Sequence, residues 1–118
     1  MTIEPVDKYF GISLSEWIER TPNELEQDAV GLWQIVSVGQ ENFDLDQKML
    51  SEFVRRSVVA LVRKGAVPVL PSSGENKFWE RQDKYGYDPE EIATNIVSEW
   101  QRAEKDPDEN GLWFSLMD

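Results

Sequence analysis

The sequence contains no cysteine and no histidine. The first absence removes disulfide frameworks and thiolate metal sites. The two together remove Cys–His nucleophiles, Ser–His triads and imidazole zinc centres. Long apolar runs are also lacking. The longest uninterrupted run is Val58 to Val62, far short of the roughly 20 residues of a membrane-spanning helix. Met1 to Phe10 carries Glu4 and Asp7 and no apolar centre, unlike a secretory signal. The expectation is a cytoplasmic protein with no membrane partner. Bases are scarce: 12 Lys and Arg stand against 23 Asp and Glu, a net charge of −11.

What is present suffices for one core. A chain of 118 residues should bury roughly two-thirds of its unfolded surface, so a single domain over 1–118 is expected. Hydrophobic content is 40%, with five Trp, five Phe and three Tyr, too much for a disordered chain. The charge is segregated. Residues 1–52 hold 11 acids against 3 bases, and residues 87–118 hold 9 against 2. Residues 53–86 reverse this, with 7 bases against 3 acids. Acidic ends repel phosphate, which disfavours nucleic acid as a partner. They attract a basic protein, faster at low salt. The simpler use of the same charge is solubility.

Helix starts are legible. Ser13 and Glu16 fit the S/T-x-x-E capping box, and Thr21 and Glu24 repeat it with Pro22 at the first helical position. Asp88-Pro89 is an acidic relative, and Asp44 to Gln47 a weaker one. Apolar spacing follows each start. Leu14, Trp17 and Ile18 form a short stripe, and Leu25, Ala29, Leu32, Trp33 and Val36 a second. Leu45 to Val62 forms a third and Ile92 to Trp100 a fourth, all at helical period. The third helix, Asp44 to Lys64, is apolar almost all round in its second half, which marks a buried hub. Gly65 ends it. Residues 31–39 are rich in β-branched side chains and could be a strand. The unbroken Leu25–Val36 spacing favours helix.

Two segments read as strands. Ala66–Leu70 contains Pro68, which removes a ladder donor, so an edge strand or extended stretch is expected. Leu112–Leu116 should pair with it. The predicted class is α+β and mostly helical, in the order α-α-α-β-loop-α-β. A small two-stranded sheet packs on the central buried helix. Residues Phe78 to Tyr87 alternate aromatics with charges and read as an irregular strand or short helix.

No catalytic motif is present. Ser72-Ser73-Gly74 is not G-x-S-x-G, and the Gly and Lys near 64–65 and 74–77 fail the phosphate-loop spacing. No cofactor is expected. Asp106, Asp108, Asn110 and Gly111 match positions 1, 3, 5 and 6 of a calcium-binding EF-hand loop. The bidentate Glu of position 12 falls on Met117, and no exit helix follows. That leaves Asp106, Asp108 and Asn110 a weak metal candidate, against a plain polar turn.

Trp, Tyr and Arg are enriched at protein interfaces. Trp79, Arg81, Tyr85 and Tyr87 could anchor a partner, or else roof the core. With the carboxylates of Glu24, Asp28, Asp106, Asp108 and Glu109 they form the expected partner-binding set. The sequence reading is a small acidic protein-binding domain, of the inhibitor or immunity type, that shields a basic partner such as a nuclease. The alternatives are a self-associating helical module, forming a homodimer, and a small-molecule-binding protein.

Overall fold

A computed structural model describes residues 4–72 and 79–117. Helix α1, Leu14–Arg20, starts as the sequence signals: the Ser13 hydroxyl accepts from the Glu16 N–H at 3.2 Å. The Glu16 carboxylate does not return to the cap. It pairs with Arg20 one turn on, at 2.7 Å. The second expected helix is corrected. Thr21 cannot cap a helix, because its backbone is already helical (φ −56°, ψ −40°) and its hydroxyl donates to the Trp17 carbonyl at 2.7 Å. Thr21–Glu26 is a 3-10 turn that continues α1.

The chain then extends as strand β1, Val30–Gly31, and only afterwards enters helix α2, Leu32–Glu41. Residues 32–39 are thus helical, but the stripe from Leu25 is broken at Gly31. Side-chain bulk explains the break. A Cβ on residue 31 would lie 2.7 Å from Trp33 Nε1 and 3.3 Å from the Trp113 ring. Glycine lets the strand pass beneath both indoles.

Helix α3, Gln47–Arg63, begins later than expected, capped by Asp46, which accepts from Met49 N–H at 2.8 Å. Asp44 sits at φ 51°, outside the extended region a cap needs. Helix α3 is the hub: it packs on α1, α2, strand β2 (Ala66–Pro71) and helix α4 (Pro89–Ala103). Phe53, Val54, Val58 and Leu61 are wholly buried on it. Ser57 is buried among them and is satisfied by donating to the Phe53 carbonyl at 2.8 Å. Gly65, at φ 112°, turns the chain into β2. Asp88 caps α4 as expected, accepting from Glu90 and Glu91 N–H at 3.0 and 3.2 Å. That helix ends without glycine, on Glu104 at φ 54°.

The sheet has four strands, not two. Strands β3, Trp79–Arg81, and β4, Trp113–Leu116, complete the antiparallel order β1-β4-β2-β3. The expected β2–β4 pair is present, with Ala66 opposite Leu116 and Val69 opposite Trp113. The expectation that Pro68 confines β2 to an edge is overturned, since β2 is internal. The Pro68 carbonyl accepts from Gln82 N–H at 2.8 Å. Its absent N–H therefore points to the same side, where β3 has just ended at Arg81 and the ladder stops.

Alternation divides the sheet. Ala66, Leu70, Phe114 and Val30 face the helices and join the main core. Val69, Trp113, Gly31 and Trp79 share the opposite face by register. Val69 is fully buried there, outside the main core cluster. An aromatic row covers this face. The Trp79 and Trp113 rings are 5.4 Å apart, and Trp33 meets Trp113 edge-on at 6.3 Å.

Candidate partner-binding groove

The aromatic segment after residue 78 does not act as one surface. Phe78 lies outside the described residues, as do Ser73, Gly74 and Lys77. Trp79 is half-buried against Trp113. Arg81 is exposed and pairs with Asp83 at 2.6 Å. Tyr85 belongs to the core: it is 5% exposed, and its hydroxyl donates to Glu99 at 2.6 Å. Burial, then the bond to that carboxylate, pushes the Tyr85 phenol up from its ordinary value. Burial also pushes Glu99 up, but the hydrogen bonds from Tyr85 and Lys84 prevail and hold it below the usual range. Of the expected aromatic anchors only Tyr87 stands fully out, at 90% exposure.

The expected carboxylates are all exposed, but they occupy different places. Asp28 accepts from the Ala29 N–H at 2.8 Å. Asp106 accepts from Gln40 at 3.2 Å. It borders a hollow with Gln101 and Lys105. Asp108 accepts from Asn110 N–H at 2.9 Å, and its carbonyl from Gly111 N–H at 3.0 Å. The Glu109 carbonyl accepts from the Trp113 indole at 2.9 Å. These are the bonds of a polar turn leading into β4. Among the described residues no group of three or more Asp or Glu side chains could hold a metal ion.

Glu24 lies elsewhere, on the 3-10 turn, and lines a groove of about 580 Å³. Phe10, Ile12, Trp17, Arg20 and Val38 line it with Glu24. Arg20 is committed to Glu16 at 2.7 Å. Glu24 has no ion pair among the described residues. The groove therefore combines apolar walls with a carboxylate that forms no ion pair among the described residues.

One wall is a feature the sequence reading missed. Residues 7–12 form a closed loop in which Asp7 N–H donates to the Ile12 carbonyl at 2.8 Å and Gly11 N–H to the Asp7 carbonyl at 2.8 Å. The Asp7 carboxylate is buried and accepts from the N–H groups of Tyr9 and Phe10 at 2.7 and 2.9 Å, and from the Asn42 amide at 2.9 Å. Burial pushes the Asp7 carboxyl up. The three hydrogen bonds, from Asn42, Phe10 and Tyr9, overcome this and set it below 3.8. Gly11 takes φ 73°, which closes the loop without Cβ strain.

The loop presents Tyr9 and Phe10 to solvent at 65% and 80% exposure. Single exposed apolar residues are ordinary, but two adjacent rings on an ordered loop are the kind of patch that marks an interface. The signal was available: an aspartate four residues before a glycine, with two aromatics between, is turn chemistry around an apolar payload. Comparison with family models, with curated proteins and with solved structures returns no match.

Proposed function

We propose that this chain is a small acidic protein-binding domain that docks a cationic segment of a basic partner on the Asp7–Ile12 loop and the groove beside it. The observation that carries the reading is the pair Tyr9 and Phe10, left largely exposed on a loop whose turn hydrogen bonds are closed. Ordering the loop beforehand lowers the entropy lost on binding. The chemistry suits an Arg or Lys side chain: its aliphatic stem lies along Phe10 and Trp17, and its charge meets Glu24. A cation beside an aromatic face adds about 0.5–2 kcal/mol. The surrounding net charge of −11 steers such a partner in. Shielding a basic site on a nuclease or nucleic-acid-binding protein, as an inhibitor or immunity-type protein does, is the role this arrangement fits.

Calorimetric titration with an arginine-rich peptide tests the proposal. The expected result is salt-sensitive binding that Phe10→Ala weakens about tenfold or more, the scale of an interface hot spot. Glu24→Gln should flatten the salt dependence. Equal affinity for both variants and the parent chain would remove the groove from the account.

A further inference from the structure

A second hollow, of about 250 Å³, lies between α1, α3 and the first turn of α4. It collects three of the chain's 12 bases, Arg55, Arg56 and Arg63. Helix periodicity brings them together. Arg55, Val59 and Arg63 follow one another at four-residue spacing, with Arg56 and Ala60 in the neighbouring row. Ile18 and Val59, 7% and 6% exposed, give an apolar floor, and the small Ala60 side chain leaves it open.

The arginines are unequally engaged. Arg55 pairs with Glu52 at 2.5 Å and Glu90 at 2.6 Å. The Glu52 hydrogen bond, the larger effect, holds Arg55 more basic than usual. Arg63 touches Glu90 only at 3.7 Å. Arg56 does not pair with Glu52, one turn before it; Arg55 takes that carboxylate. Arg56 donates to the Ser15 hydroxyl at 3.2 Å, which itself donates to Glu4, and forms no ion pair within 4 Å among the described residues. A guanidinium has five N–H donors, so most of those on Arg56 have no acceptor among the described residues. Glu90, at the start of α4, puts one carboxylate between Arg55 and Arg63, where an incoming anion would sit.

We infer that this hollow is a binding site for a small amphipathic anion. The carboxylate or phosphate of the ligand lies among the three guanidinium groups, and a short apolar body rests on Ile18 and Val59. The volume is below the roughly 300–1,000 Å³ of pockets for drug-sized ligands, so the ligand is small. Glu90 is the built-in competitor for the anion. The acidic flanks of the chain repel extended polyanions, which restricts the site to a ligand with one anionic group. The inference is independent of the cation-docking groove, with which the hollow shares no lining residue.

The test follows the arginine Nε–H signals and the Ile18 methyl by NMR, at fixed ionic strength, during titration with phenyl phosphate, benzoate and inorganic phosphate. An aromatic anion should shift Arg55, Arg56, Arg63 and Ile18 together and saturate. The tighter of the two aromatic anions identifies the head group. Inorganic phosphate, lacking the apolar body, should bind about tenfold more weakly. Arg56→Gln should weaken binding about tenfold, as loss of a charge-assisted contact does. Glu90→Gln should strengthen binding severalfold, a gain that a purely structural Glu90 would not give. No saturable shift with either aromatic anion, inorganic phosphate binding as tightly as they do, or weaker binding after Glu90→Gln would each overturn the inference.

Discussion

Tyr9–Phe10 and Trp79–Tyr85 are both aromatic segments set among charges, and they fold in opposite senses; Tyr87, just beyond the second, stays exposed. In the first, a buried aspartate accepts the backbone N–H groups and the rings face outward. In the second, pairing with β2 lays Trp79 against Trp113, and Tyr85 turns inward to Glu99. Composition was richer in the second, yet the first leaves two adjacent rings exposed. An aromatic is free for a partner when its backbone is satisfied locally and nothing in the fold needs the ring for cover. The Trp79 and Trp113 rings are needed, because they cover Val69.

The largest effect that would sharpen this contrast comes from the covered face. Trp113→Ala should lower stability by about 3 kcal/mol, near the lower end for loss of a large aromatic because the ring is half-buried. Urea unfolding measures it. A loss as small as that of a surface change would mean that the aromatic row carries no packing energy. Next in size is Gly31→Ala, whose new Cβ would displace Trp33. The expected cost is about 1–2 kcal/mol by overpacking, read from the same unfolding curves and from the altered Trp33 indole signal.

A subtler change is the acid response of the loop. The Asp7 carboxyl titrates below its ordinary 3.8, so its folded state is favoured while it is charged. That contribution is present above about pH 4 and fades as pH falls through the depressed value. Protection of the Tyr9 and Phe10 amides from exchange, relative to an unstructured chain at the same pH, should hold at about pH 4 and fall only under stronger acid. Loss of that protection already well above about pH 4 would break the link between Asp7 and the loop. The smallest stability effect is expected for Phe10→Ala: within about 0.5 kcal/mol, as for an exposed residue. A melting curve checks this. A large loss there would make Phe10 a packing residue and erase the contrast.

Local signals in the sequence read two of the four helix starts, while Thr21 and Asp44 did not cap. Ser13 and Asp88 cap as their side chains dictate, α3 is the buried hub, and Gly65 turns the chain after it. The β2–β4 pairing was legible from two β-branched or aromatic runs. Strand β1 was not. Its two residues become a strand only because Trp113 and Phe114, from the far end of the chain, pair with them, and no local propensity encodes that partner. The position of β2 inside the sheet was hidden for a similar reason: Pro68 is tolerated because β3 stops short. The groove was half legible. Glu24 was picked out by charge, but Trp17 entered only as part of the first helical stripe and Asp7 only as a charge near the N-terminus. The inward turn of Asp7 depends on Asn42, 35 residues away. Asp106, Asp108 and Asn110 resembled a site because turn residues and metal ligands are drawn from the same polar set.

The most direct measurement maps where a cationic peptide touches the protein. Amide and indole shifts recorded during titration with an arginine-rich peptide should concentrate at Tyr9, Phe10, Trp17 and Glu24, and fade with added salt. Shifts spread evenly over Asp28, Asp106, Asp108 and Glu109, with the loop unmoved, would show a diffuse negative surface and contradict a groove built to receive a basic side chain.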